Sequence, residues 1–309
     1  NACIISHEKM NVYAYVSIIE VLLKLGIVYI LYVIPYDRLI VYGMLFMIMS
    51  IIVTMIYRLY CLKNYPECHL KWYSDKKLYK QLLSYSGWNL FGSISSMVKG
   101  QGLNILLNMF FSPSVNASRG ISYQVNSSIS HFFTNFYTAV RPQITKYYAQ
   151  GDMENMFKLV FRSSKLSFFL ILLISLPIII ETPFIIRLWL GQLPEYVVVF
   201  VRLIITITAI DAMANPLMTA AHATGRIAVY QSTVGTMIIL NIPISYIFLF
   251  YGHSPTVVFV ISLVISIVCL FMRLWIVRWL MAFPVLSYIR EVFLKALVVT
   301  VFAVAVPLL

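Results

Sequence analysis

Two neighbouring stretches hold the side chains best suited to chemistry on a polar solute. The first carries Lys99, Asn104 and Asn108, with Asn89, Ser93, Ser95, Ser96 and Gln101 beside them. The second carries Arg119, Gln124, Ser128, His131 and Asn135. An ammonium and a guanidinium suit an anion, and amides and hydroxyls suit a solute that hydrogen-bonds at many points. No Asp or Glu lies between Ser86 and Val140, so a cationic solute is poorly served there. No metal-binding His/Asp cluster, nucleophile elbow or phosphate loop is present. Neither an enzyme nor a resident cofactor or metal is expected.

The elements that must position these groups are apolar. Charged residues make up 11% of the 309-residue chain and hydrophobic ones 61%, against about 25% charged in a soluble domain. A helix crosses the hydrocarbon core with roughly 20 mostly apolar residues. Nine such segments are predicted: Val12–Ile34, Leu39–Tyr57, Gly87–Phe111, Arg119–Val140, Leu166–Ile186, Tyr196–Ala220, Ile227–Tyr251, Thr256–Trp279 and Val292–Leu309. The expected fold is therefore an all-α polytopic membrane protein. Six lysines and arginines crowd Arg58 to Lys80 and five crowd Arg141 to Lys165. Cationic loops stay on the cytoplasmic side. One alternation satisfies the rule, with those clusters, Arg226 and the run Arg273 to Lys295 inside, and only Arg38, Arg119 and Arg187 outside.

The net charge of +12 thus faces anionic headgroups, and membrane lipids rather than nucleic acid are the expected contacts. Tyr32, Tyr36, Tyr57, Tyr60, Trp189, Tyr196, Trp275 and Trp279 gather at span ends as an interfacial belt. The long inner loops contain amphipathic stretches, Trp72–Tyr85 and Met153–Leu166, expected to lie along the headgroups as separate helices. The outer turns are too short for an extramembrane active site. Cys3, Cys61, Cys68 and Cys269 form neither a ligand set nor a disulfide framework. The chain opens at Asn1 in mid-phrase and stops inside an apolar run, as a fragment of a longer protein would.

At 100° per residue, Gln124, Ser127, Ser128, His131, Thr134, Asn135 and Thr138 share one face of their span, and Val125, Ile129, Phe132, Phe133, Phe136 and Val140 share the opposite one. Such a stripe cannot face lipid without large cost. Two readings stand: a hydrogen-bonded seam against another helix, or the wall of a water-filled substrate cavity. Lys99 falls near mid-bilayer, where a cation costs about 3 kcal/mol. It either serves the solute or meets a carboxylate on a neighbouring helix. Glu20 and Lys24 stand four apart and can pair on one face. Arg202 and Asp211 stand nine apart, on opposite sides of one helix, so each needs its own partner. Arg202, near the outer face, can snorkel. Asp211 and Glu20 are the candidate ion-coupling carboxylates, for H+ or Na+, against a purely structural role. Pro177, Pro183, Pro216 and Pro243 interrupt spans, as is common in membrane helices.

Ser86-Gly87-Trp88-Asn89-Leu90-Phe91-Gly92-Ser93, Gly100-Gln101-Gly102-Leu103-Asn104-Ile105-Leu106-Leu107-Asn108 and Val115-Asn116-Ala117-Ser118-Arg119-Gly120-Ile121 resemble the second lobe of an O-antigen flippase. So do Arg141-Pro142-Gln143-Ile144-Thr145-Lys146, Leu188-Trp189-Leu190-Gly191-Gln192-Leu193-Pro194-Glu195-Tyr196 and Ala223-Thr224-Gly225-Arg226-Ile227. These exporters belong to the multidrug/oligosaccharidyl-lipid/polysaccharide (MATE-like) superfamily. Ser118 stands where a small Ala is expected.

The resemblance implies a MATE-like bundle of two lobes, 12–14 helices when whole. Residues 1–60 would close the N-terminal lobe, 61–85 would form an amphipathic cytoplasmic linker, 86–280 a six-helix C-terminal lobe, and 281–309 the start of an appended helix. It implies alternating access to a polyprenyl-pyrophosphate-linked oligosaccharide at the bacterial cytoplasmic membrane, with other polysaccharide-assembly proteins as partners. Lys99 and Arg119 would meet the pyrophosphate, and Asn104, Asn108, Gln124, Ser128, His131 and Asn135 the sugars. A drug/cation antiporter on the same fold is the alternative.

Overall fold

Apolar runs of bilayer length become helices because only a helix satisfies all its backbone hydrogen bonds within one segment. The computed structural model describes residues 3–4, 7, 9–33, 37–68 and 74–305, and among them it is helical throughout, with no strand. The chain forms two compact units, Asn1–Asp75 and Lys76–Leu309. Among the described residues six helices are long and apolar enough to cross a membrane, against the nine segments expected. Gly87–Phe111 and Arg119–Val140, whose polar residues lower their hydropathy, and Val292–Leu309, of which only part is described, are not among the six. The chain is a multi-pass helical membrane protein.

The first unit packs α1 (Met10–Val33) on α2 (Arg38–Asn64). Asp37 caps α2 by accepting from the Leu39 N–H at 2.9 Å. A small cluster of Ile4, Cys61 and Tyr65 closes one end. Pro35 and Tyr36, in the predicted turn between the two spans, lie outside the described residues.

The second unit contains α3 (Lys76–Phe110), α4 (Pro113–Ala149), α5 (Met153–Ile180), the short α6 (Thr182–Leu190), α7 (Val197–Ala223), α8 (Ile227–Phe250), α9 (Thr256–Met281) and α10 (Val285–Tyr288). A π-helical turn (Ile289–Phe293) then leads into α11 (Leu294–Ala305). Its centre is α7, against which α4, α5 and α9 pack. Ala209, Ala212, Ala214, Ala220 and Ala221 are all buried along α7, and such small side chains let neighbouring backbones approach closely. Beyond α9 comes α8, and α3 packs on α8. The order α3–α8–α9–α7 leaves α3 and its sequence neighbour α4 at opposite ends of an arc, touching only lightly.

The α3–α8 seam is made with glycine. A Cβ on Gly235 would stand 2.9 Å from Phe91 Cε1 and 3.1 Å from Ser95 Oγ, whereas one on Gly120 would meet nothing within 4 Å. Gly235→Leu is therefore expected to destabilise the unit by about 1–3 kcal/mol, the usual cost of overpacking, while Gly120→Ala stabilises it by up to about 1 kcal/mol of helix propensity. Thermal unfolding of the detergent-solubilised protein measures both, and an unchanged midpoint for Gly235→Leu would contradict the close approach.

Three expectations change in detail. The amphipathic stretches are not separate interfacial helices. Residues 76–85 run unbroken into α3, and Met153–Leu166 is the first half of α5; Trp72 lies outside the described residues. The reason is local: Gly87 costs only about 1 kcal/mol in a helix, and no proline separates either stretch from its span. The helix expected to be the fourth span continues past Val140 and through Pro142 to Ala149, since one lost hydrogen bond does not outweigh two flanking helical turns. At 1.5 Å per residue α4 is about 56 Å long, well over the roughly 30 Å of a hydrocarbon core, and Arg141 and Lys146 lie towards its C-terminal end. The last span is helical to Ala305, and 306–309 lie outside the described residues.

Between α4 and α5, Asp152 accepts from the side chain and backbone N–H of Asn155 at 2.7 and 3.1 Å. Those two bonds, the side-chain one foremost, hold its carboxyl below the usual carboxylate range.

Candidate functional site

The nine-residue spacing that denied Arg202 and Asp211 to one another is resolved by separate partners. Arg202 Nε and Nη2 donate to the Ile179 and Ile180 carbonyls at 2.9 and 3.3 Å. These are C-terminal carbonyls of α5 that have no acceptor role left inside the helix. The arginine caps α5, which explains a cation at that depth without a ligand.

Asp211, midway along α7, accepts from Ser266 Oγ at 2.9 Å and from Arg273 Nη1 at 3.5 Å, both on α9. Arg273 Nε also donates to the Tyr230 hydroxyl of α8 at 3.0 Å. Arg273 was expected among the inner-loop cations; instead it stands inside α9 with only 12% of its side chain exposed, against 44% for Asp211. A guanidinium donates from several nitrogens at once, so it can bridge the carboxylate and the phenol. Lys99 of α3 lies within the electrostatic reach of both Asp211 and Arg273. The carboxylate is thus nearby, but among the described residues none comes within ion-pairing distance of Lys99. Two cations against one carboxylate leave an excess positive charge where α3, α7, α8 and α9 converge.

Arg119 is brought close to this group. Its Nη2 donates to the Gly100 carbonyl of α3 at 2.8 Å, and its guanidinium lies 4.7 Å from the Tyr123 ring centre. On the same flank of α4, Asn116 Oδ1, Arg119 Nε and Asn126 Oδ1 are buried without a protein partner. Buried polar atoms are normally bonded, which marks these three as places where a polar partner would be favourable. Asn116 and Asn126 were not singled out in the sequence. Their spacing of three and seven residues around Arg119 is the signal that finds them.

The polar stripe of α4 faces away from the packed core. Ile129 and Phe133 are buried, whereas Gln124, Ser127, Ser128, His131, Thr134 and Asn135 are exposed, and no described helix of the unit seals them. The seam reading fails within this unit. Gln124 and Ser128 do not meet Lys99; they line a groove of about 480 Å³ with Phe132, Ile174, Ile178 and Trp189. Arg119 and Gln124 are separated by about 140° around the helix, which divides α4 between two surfaces. On α3, Asn104 is half-buried and Asn108 exposed. Glu20, in the first unit, pairs with Lys24 at 2.7 Å.

These faces predict different tolerance. His131→Leu should insert like the parent, because a leucine on that face removes only polarity. Phe132, expected opposite the stripe, is instead 64% exposed and lines the same groove as Gln124 and Ser128. Phe133, 8% exposed on the packed face, should not tolerate Asp, at about 2.5–3.5 kcal/mol for a mid-membrane carboxylate. Membrane yield by immunoblot reads both, and equal defects would mean the faces are misassigned.

Towards the inner end, the Tyr137 hydroxyl of α4 donates to the Asn215 carbonyl of α7 at 2.9 Å and also meets Thr219 Oγ1. His222 Nε2 is buried nearby on α7 without a partner, its ring edge-on to Tyr230. This tie fixes α4 to α7. A scan against protein-family models found no match for this chain, and searches of curated proteins and of solved structures found none either.

Proposed function

We propose that the chain carries an amphiphilic anion across a bacterial cytoplasmic membrane, as a MATE-like flippase for polyprenyl-pyrophosphate-linked oligosaccharide working by alternating access. The observation that carries this reading is the excess positive charge at Lys99, Arg273 and Asp211, together with the uncovered polar face of α4. Lys99 and Arg119 meet the pyrophosphate, because each cation gains most from an anion in a low-dielectric site. The amides and hydroxyls of Asn104, Asn108, Gln124, Ser128, His131 and Asn135 replace water around the sugars. A polyprenyl tail stays in lipid while its headgroup crosses, so the protein shelters only the polar part. Other polysaccharide-assembly proteins are the natural partners.

Deleting the gene tests this directly. Cells should lose surface glycan and accumulate the lipid-linked unit on the inner leaflet; unchanged surface glycan would exclude the role. The half-exposed carboxylate of Asp211 favours a second reading, exchange of a cation or drug for H+ or Na+. In that case the deletion would raise drug sensitivity and leave the glycan intact.

A further inference from the structure

At the inner end of the second unit, cations from two elements meet around a groove of about 740 Å³. The first turns of α3 supply Lys77, Lys80, Tyr85 and Trp88, and the turn between α7 and α8 supplies Thr224 to Ala228, including Arg226. Among the described residues no Asp or Glu lines it. Leu78, Leu82 and Trp88 supply apolar wall and Gln81 and Ser84 neutral polar groups, so it is neither a plain charged surface nor a plain hydrophobic slot.

The turn adds donors. Thr224 Oγ1 donates to the Ala221 carbonyl at 2.7 Å and accepts the Arg226 N–H at 3.2 Å. Its hydroxyl is thereby committed to the turn. Arg226 gives α8 no side-chain cap, and Ile227 and Ala228, whose first-turn N–H groups have no helical acceptor, stand at the groove. Lys80 and Arg226 are both exposed, and no carboxylate pairs with either among the described residues.

Three features coincide: cations approaching from two sides, an uncapped helix start, and an apolar wall with two aromatic rings at the membrane surface. A phosphate held at the water boundary by acyl chains matches all three, because the anion meets the cations and helix start while its glycerol and first methylenes lie on leucine and tryptophan. We propose that this groove is a binding site for the headgroup phosphate of an anionic phospholipid of the phosphatidylglycerol type. The site lies apart from Lys99 and the α4 stripe, and it does not depend on what the protein transports. Lys80 and Arg226 are its anion-contacting residues, and Trp88 packs on the glycerol end.

The chain has five tryptophans. With Trp72, Trp189, Trp275 and Trp279 changed to Phe, Trp88 becomes a single reporter in phosphatidylcholine vesicles containing a minor fraction of brominated lipid. Brominated phosphatidylglycerol should quench Trp88 at much lower fractions than brominated phosphatidylcholine. A cation near an anionic headgroup is worth about fivefold in affinity. Lys80→Gln with Arg226→Gln should therefore weaken the preference by about 25-fold, while Lys80→Arg with Arg226→Lys retains it. Soluble glycerol phosphate should not displace the lipid. Equal quenching by the two lipids in the parental chain would overturn the proposal, as would a preference that survives the double Gln change. Displacement by glycerol phosphate would show a site for free phosphate instead.

Discussion

Lys99→Ala is expected to abolish glycan export, by more than tenfold, while the protein stays in the membrane at the parental level. Lys99 stands in the middle of a 35-residue helix and has no carboxylate of its own, so removing its charge relieves an insertion cost of about 3 kcal/mol rather than adding one. The folded unit does not need the ammonium, since Asp211 is already held by Ser266 and Arg273. What it loses is a cation that no carboxylate pairs with among the described residues. Lys99→Arg should keep most export, because a second cation of similar reach replaces the first. Surface glycan quantified beside an immunoblot of the membrane fraction decides it. Normal export by Lys99→Ala would remove the lysine from solute handling.

Arg273→Ala is expected to destabilise the second unit strongly. It strips Asp211 of its counter-charge and the Tyr230 hydroxyl of its donor in one step. Breaking a buried pair by removing one partner costs about 3–5 kcal/mol. With 44% of the Asp211 side chain exposed, the lower end of that range applies. Asp211→Asn in the same chain should recover much of the loss, because a neutral amide still accepts from Ser266. Thermal unfolding of the four proteins in one detergent gives the cycle. If Arg273→Ala alone lies within about 0.5 kcal/mol of the parent, as inert substitutions do, the pair contributes nothing.

Periodicity made much of this architecture legible. The predicted Ile227–Tyr251 and Thr256–Trp279 match α8 and α9 to within two residues, because both are bounded by turns and filled with apolar residues. The stripe of α4 was legible for the same reason: angular position depends on spacing alone. Helix junctions were not, because a charged amphipathic turn and an interfacial helix have the same composition, and only the absence of a breaker near Gly87 separates them. The partner of Asp211 was hidden by distance. Arg273 is 62 residues away and stands near other cations that do belong to the inner surface. The unmatched intramembrane charge of Asp211 still pointed to some cation within an apolar run, and Arg273 is one. The exposed Trp275 and Trp279 and the half-exposed Trp189 agree with an interfacial belt at the span ends.

Cysteines introduced along α4 address the solvation of its polar face. With Cys3, Cys61, Cys68 and Cys269 replaced, Gln124→Cys, Ser128→Cys, His131→Cys and Asn135→Cys should react with a membrane-impermeant thiol reagent about as readily as Gln192→Cys in an exposed turn. Ile129→Cys and Phe133→Cys, on the packed face, should stay unmodified. Four unreactive positions along the stripe would show a dry surface sealed by lipid or protein, and a wet route for a charged headgroup past Lys99 would not exist.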